Sequence, residues 1–528
     1  MHISKFFCNF VADLVETTVK KCFSLYLMLL WTLSIVSQVH VSVGSPQTWS
    51  VQSLVPYIGQ TIQFEEPMVV CSNANRLIVA PWRMYEPLCQ GWKGSEGYKT
   101  AVRINGSGGF TLEGVYEYHR CGEKILHLQA VVNSTTSLTF VSGEWHGNTR
   151  AELEKGIPNL GDYRLLVCAF NLENYFVVNM GSMGARSESE HQLQRQKIST
   201  ALKTINADIF GLVELEQGDE AIQEIVQDLN KNLPGRNYTF FQESVSAAAF
   251  QKTDFVYDAN KVEPIGTPTV INTEVQNRKR IICFREKATG ERFIYSINHF
   301  KAMSGGAEAS DARRVNEARA VVNFYNSYRR NTSVQDDDLL IMGDLNTHAY
   351  TDPIKVFTDG GLIDLHRAFH ADSSYSYMYG GKASYIDHAL CNGTLYRQIT
   401  GMAVYHINSD ESDYYTYDKS GDVSMFRCSD HDPVLVGLKL DSTLVYDPTP
   451  QINTAEIVRG EANSMVIMNA QNDEQKSYYA IYSINGILLD QQEIASMYHE
   501  VSLPASPGVY IVYIYSDGQV YQRKVIIR

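Results

Sequence analysis

The feature that most constrains this chain is a recurrence. One apolar run of strand length after another stops on acids, amides and histidines. "VCAFN" ends at Asn171, "IFGLVE" at Glu214, "IYSINH" at Asn298 and His299, and "LLIMGDLN" at Asp344 and Asn346. "SYID" ends at Asp387, and "SDHDPVLVG" carries Asp430 and His431 just before its apolar stretch. A continuously apolar strand is buried on both faces, which places it inside a layered α/β structure. Polar groups at the ends of such strands gather on one rim, so residues far apart in the chain meet on a rigid frame.

Singly, most of these groups have a plain structural use. Gly343, Asp344 and Asn346 are turn formers, and Asn171 can bond a loop backbone. Glu214 is the exception, because a carboxylate within an apolar run is costly unless paired or metal-bound. Together the set suits phosphodiester hydrolysis. Glu214, Asp430 and Asp344 supply oxygen ligands for a hard divalent cation, which acts as a Lewis acid. His431 titrates near neutrality and can be a general base, with Asp387 holding its imidazole. Asn171 and Asn346 can donate to non-bridging phosphoryl oxygens as charge develops. His299 is the matching general acid or phosphate contact.

Between these strands the pattern turns helical. "HQLQRQKISTALKTI" places Leu193, Ile198, Leu202 and Ile205 near one face. "DEAIQEIVQDLNKN" sets Ile222, Ile225, Val226 and Leu229 at amphipathic spacing, with Asp219 as the expected cap. A further helical stretch lies near 307–329. Alternating helices and strands imply two stacked sheets flanked by helices.

The flanks differ. Residues 45–157 read as short strands broken by Gly, Asn and Ser, which predicts a small β-domain, OB-like in form. "RLIVAPWRMYEP" and "QGWKGSEGYK" mix aromatics with Arg and Lys, as nucleic-acid stacking platforms do, and equally as loops of a packing domain do. "GIPNLGD" and "YDPTP" mark linkers around a central domain at 162–442. Residues 446–528 are strand-rich, with a hairpin at "SDG". Lys20 and Lys21 precede the apolar run "CFSLYLMLLWTLSIVS", which assigns 1–44 to a secretory leader rather than a membrane anchor. No stable membrane span is expected after processing.

The formal net charge of −14 excludes a protein that coats nucleic acid by bulk positive charge. Cys8 and Cys22 fall in the leader; no C-x-x-C pattern appears among the rest. Cys168 and Cys283 sit in apolar strands as small core residues, and a pair among Cys71, Cys89 and Cys121 is open to oxidation outside the cytoplasm.

The ordered set "FNLENYF", "DIFGLVELE", "NHFKA", "GDLN", "SYIDHAL" and "SDHDPV" resembles the endonuclease/exonuclease/phosphatase superfamily, and within it the extracellular bacterial nucleases. The resemblance spans about 163–440. It implies a four-layer α/β sandwich and hydrolysis of DNA, with RNA as a second substrate. By motif match, Asn171 is the phosphate-contacting Asn and Glu214 the metal-binding Glu. His299 is the first catalytic His, and Asp344 and Asn346 belong to the phosphate-binding loop. Asp387 orients the last His, and Asp430 and His431 are the terminal metal-site Asp and general base. The metal set is Glu214, Asp430 and Asn171, holding Mg2+ or Mn2+, with Ca2+ as a structural alternative. Glu243 and Asp254 are the acids considered as partners of His299.

The C-terminal stretches "SINGILL", "LPASPGVYIVYIYSDGQ" and "RKVIIR" resemble the type A sorting domain of the type IX secretion system of Bacteroidetes. That implies export by the secretion machinery, a secreted or cell-surface location and removal of the tail; a monomer is expected. The alternatives are a phosphomonoesterase or phospholipid-cleaving enzyme of the same superfamily, and a surface adhesin on an inactive scaffold. "YGGKASYIDH" lacks the Trp-Cys-Asp-Arg-like stretch of phosphoinositide phosphatases.

Overall fold

The computed structural model describes residues 39–43, 51–73, 76–86, 109–243, 245–271, 278–303, 307–334 and 336–441, and separate segments between 456 and 527. The leader run before residue 39, Cys89, "QGWKGSEGYK" and "YDPTP" lie outside the described residues.

The N-terminal region is a seven-stranded sheet: β1 (Val39–Val41), β2 (Thr61–Phe64), β3 (Met68–Ser72), β4 (Ile78–Ala80), β5 (Phe110–Glu113), β6 (Lys124–Ser134) and β7 (Ser137–His146). Its order is β1-β2-β6-β3-β4-β5-β7, and β6 also pairs with β7. Five strands therefore close a circuit, β3-β4-β5-β7-β6, with β5 and β7 parallel. This is the strand number of an OB-like barrel. Phe64, Val70, Phe110, Ile125 and Leu138 fill it. Strand β1 pairs with β2 and Val41 is buried, so the folded domain starts before the expected boundary at 44.

The central region has two six-stranded sheets. One runs β10 (Tyr238–Phe240), β11 (Ala248–Asp258), β9 (Ile209–Gln217), β8 (Leu165–Tyr175), β21 (Val434–Leu438) and β20 (Ile399–Val404). The other runs β12 (Val262–Val270), β13 (Lys279–Glu286), β14 (Arg292–His299), β15 (Leu339–Asp344), β19 (Asp387–Cys391) and β16 (Ile363–Asp364). Val167, Val213, Phe255, Tyr295, Met342 and Val436 interdigitate between them. Outside the first sheet pack α1 (Glu188–Ile205) and α2 (Glu220–Asn232), through Ile198, Leu202, Ile222 and Leu229. Outside the second packs α3 (Ala307–Tyr328), through Ala318, Val321 and Tyr325. The result is the expected four-layer sandwich.

Two local expectations are corrected. On α1 the buried face takes Gln194 and Lys197, while Leu193 is only half-buried. Gln194 Nε2 donates to the Glu173 carbonyl and the Lys197 ammonium to that of Asp422, so each side chain has a partner for its donor group. Asp219 stands at the start of α2 but makes no cap bond; its carboxylate accepts the Glu243 N–H instead.

A small hairpin, β17 (Tyr377–Tyr379) and β18 (Lys382–Ser384), lies between the N-terminal barrel and the sandwich. The C-terminal segments form two sheets, β22 (Glu456–Arg459), β23 (Ser464–Met468) and β26 (Tyr498–Ser502), and β25 (Leu488–Glu493), β24 (Tyr478–Ser483), β27 (Gly508–Ser516) and β28 (Gln519–Ile527). Met465, Ile467, Ile481, Val512 and Ile514 make their shared core. Ser516 pairs with Gln519, the register of a two-residue hairpin. Among the described residues, no helix is long and apolar enough to cross a membrane.

Candidate active site

Parallel pairing brings the strand ends level. β14 runs beside β15 with His299 opposite Asp344, and β19 sets Asp387 opposite Asp344 from the other side. In the facing sheet, β8 and β9 pair Asn171 with Val213, next to Glu214. The close approach of β14 and β15 needs Gly343, whose φ is +121° and where a Cβ would lie 2.1 Å from the Asn298 carbonyl oxygen.

At this rim the two sheets meet. Asn171 Nδ2 donates to Asp344 Oδ2 at 3.1 Å, and so does Asn346 Nδ2, also at 3.1 Å. His299 Nε2 lies 3.6 Å from Glu214 Oε1 and 3.7 Å from Asp344 Oδ2. His431 Nδ1 and Asp387 Oδ2 are 2.7 Å apart, while His431 Nε2 faces Asp430 at 3.8 Å and Asp344 at 4.0 Å. Eight of the nine strand-end residues named from the sequence thus share one cleft; the ninth, Asn298, is fully buried and donates from Nδ2 to the Ser296 carbonyl at 3.1 Å. Asn171 is tied at both ends, since its Oδ1 also accepts the Glu173 N–H at 3.0 Å. Glu243 and Asp254 are elsewhere, in a buried ion-pair cluster with Arg280 and Lys252. The acids nearest His299 are Glu214 and Asp344.

Residues 170–431 match the Endonuclease/Exonuclease/phosphatase family. This stretch is an endonuclease/exonuclease/phosphatase domain. Members of that superfamily are hydrolases acting on phosphoester bonds. Among solved structures, the chain is similar to an endonuclease/exonuclease/phosphatase from Bacteroides vulgatus, at 17% identity over 52% of this chain and 99% of that one, with a TM-score of 0.36. It is also similar to a Bacteroides thetaiotaomicron mannosyl-6-phosphatase, at 18% identity over 52% and 100% with a TM-score of 0.35. A third is the human Nocturnin catalytic domain, at 14% identity over 52% and 94% with a TM-score of 0.37. No curated protein matches the chain.

The endonuclease/exonuclease/phosphatase domain adds two residues that sequence reasoning missed. Glu173, in a left-handed backbone conformation at φ +54°, has a buried Oε2 with no hydrogen-bond partner. Burial, then Asp430, push its carboxyl up to about 8. Arg278, just before β13, stands near Glu214 and Asp344 and donates to Gln251 at 2.5 Å. "NLENYF" offers one signal for Glu173, a carboxylate two residues beyond Asn171 on the same strand face. Nothing in the local sequence marks Arg278.

The donor set fits a divalent cation. Glu214, His299 and Asp344 each offer a ligand atom within 4.8 Å of the others. Burial and Asp430 push the Glu214 carboxyl up, and burial drives Asp344 up to about 8 despite His431. Negative charge packed this closely away from water calls for a cation, and the orphaned Glu173 oxygen is one more unused donor. The two histidines diverge. Burial and Arg278 hold His299 well below the usual range. Burial opposes protonation of His431 too, but Asp387, Asp430 and Asp344 outweigh it and raise that imidazole well above.

Proposed function

We infer that this chain is a secreted, divalent-metal-dependent nuclease that hydrolyses phosphodiester bonds of extracellular DNA, with RNA as a second substrate. The observation that carries the reading is the His431–Asp387 pair set across Asp344 from Glu214 and His299. Asp387 accepts from Nδ1 and so turns Nε2 toward the site; a cation neutralising Asp344 and Asp430, two of the acids that raise His431, would free Nε2 to take a proton from an attacking water. His299, neutral in its setting, suits a hydrogen bond to a phosphoryl oxygen better than delivery of a proton. Asn171, Asn346 and Arg278 border the same space as donors for developing negative charge. Mg2+ or Mn2+ held by Glu214, Asp344 and Asp430 would neutralise phosphoryl charge and act as a Lewis acid.

The leader run and the sorting-type C-terminal module support export. Fractionation of a culture expressing the full chain, followed by intact mass of the released protein, tests that part.

The activity is tested by incubating the purified chain with plasmid DNA, RNA and a phosphate monoester, with and without chelator. Chelator-sensitive nicking of DNA is expected. Turnover of the monoester alone would replace this reading with the phosphomonoesterase one, and no turnover of any substrate would favour the adhesin.

A further inference from the structure

The N-terminal barrel is joined to the active-site frame by buried, charged contacts. Asp410, fully buried in the sandwich, pairs with Arg83 of the barrel. The same carboxylate accepts from Asn148 Nδ2 at 2.8 Å and from the Tyr375 hydroxyl at 2.9 Å. The Arg83 guanidinium also lies 4.3 Å over the Tyr375 ring. On the barrel side, Cys121 N–H donates to the Asp410 carbonyl at 2.9 Å. The barrel also extends the β17–β18 hairpin, because Ala383 N–H donates to the Met84 carbonyl at 2.7 Å.

The next residues along the chain reach the proposed chemistry. Ser376 Oγ donates to Asp387 Oδ2 at 2.7 Å, and its carbonyl accepts the Asp432 N–H at 2.8 Å. The Tyr377 ring stands 4.9 Å from the His431 ring. From the other side, Asn408, two residues before Asp410, donates to the His431 carbonyl at 2.6 Å. Arg83 is therefore linked to both Asp387 and His431 through two short segments, 375–377 and 408–410.

We propose that Arg83 is a positioning residue: by clamping Asp410 and Tyr375 it makes the N-terminal barrel a structural part of the catalytic site rather than only a substrate-holding module. Rates depend steeply on such placement, and an error of about 1 Å can lower them about 100-fold. The proposal rests on the reading of His431 and Asp387 as base and orienting acid.

The test compares full-length wild type, Arg83→Met, Arg83→Lys and Tyr375→Phe. The probe is bis(p-nitrophenyl) phosphate, a diester too small to bridge the two domains. For Arg83→Met a fall in kcat of about 10- to 100-fold is expected, with KM within about twofold. Arg83→Lys recovers part of the loss, and Tyr375→Phe, which keeps the ring packing, loses up to about tenfold. Hydrogen exchange in residues 375–387 speeds up in the same order. Should Arg83→Met not fold, Tyr375→Phe carries the test. A folded variant with unchanged kcat on the small diester, a defect confined to KM for DNA, or unaltered exchange in 375–387 overturns the proposal. A wild type inert toward every phosphoester sinks the nuclease reading instead, and the exchange measurement then still decides whether the clamp orders 375–387.

Discussion

Asp387 Oδ2 is shared: His431 Nδ1 and Ser376 Oγ each reach it at 2.7 Å. A carboxylate can accept both protons, and by doing so it fixes which imidazole nitrogen stays free. Asp387→Asn keeps the shape but places an amide where two donors converge. A loss of kcat on the order of 10²- to 10⁴-fold is expected, with a similar loss in His431→Ala. The double variant should be little worse than either single one, because the two residues act as a unit. Plasmid nicking with folded, purified variants measures this, and near wild-type rates for Asp387→Asn would remove the pair from the mechanism.

Glu214 points one oxygen at the Asn174 N–H, 3.0 Å away, and the other toward His299. Glu214→Gln retains the backbone contact and removes the charge. If the acid holds the cation, the Mg2+ concentration for half-maximal activity should rise about 10- to 100-fold, with part of the rate recovered at high Mg2+. A metal titration with the same midpoint in both proteins would assign Glu214 another role.

The sandwich was legible because its strands are apolar without interruption and its helices periodic. Ile222, Ile225, Val226 and Leu229 all lie buried on α2 as their spacing requires. The polar strand ends were legible for a related reason, since groups such as Glu214 have no packing use within an apolar run. Other features depend on contacts that local sequence does not encode. Lys197 is buried on α1 because Asp422, 225 residues later, receives it. Asp219 is an ordinary cap residue until the Glu243 N–H competes for it. Glu173 lies within the β8 strand, but its left-handed backbone, at φ +54°, is not something the neighbouring residues announce. The Arg83–Asp410 pair spans 327 residues, so neither partner stands out alone.

Glu173 couples the site to stability. Its carboxyl is pushed up to about 8 in the folded chain, against about 4.3 when unfolded. The native state therefore binds that proton more tightly. The resulting stabilisation is complete below the unfolded value and disappears as pH rises through the folded one. In chelator, wild type should lose melting temperature between about pH 4.5 and 8. Glu173→Gln, uncharged throughout, should show a flatter profile and melt on the order of 10 °C higher at pH 8. Scanning calorimetry across this range provides the check, and parallel profiles for the two proteins would rule out a buried, raised carboxyl at 173.

Gly343 sets the spacing between His299 and Asp344. Its φ of +121° is open to glycine and strained for any other residue, and an added Cβ would sit 2.1 Å from the Asn298 oxygen and 2.9 Å from its nitrogen. Those atoms are backbone of the neighbouring parallel strand, so relief requires β14 and β15 to separate. Gly343→Ala should therefore destabilise the central domain by about 2–4 kcal/mol. Activity should fall further than the unfolded fraction explains, because the same separation carries His299 away from Asp344. Urea denaturation followed by far-UV circular dichroism and tyrosine fluorescence gives the first quantity, since all five tryptophans precede the central domain, and kcat under conditions where the variant stays folded gives the second. An alanine variant within about 0.5 kcal/mol of wild type and equally active would mean that β14 and β15 do not approach as closely as described.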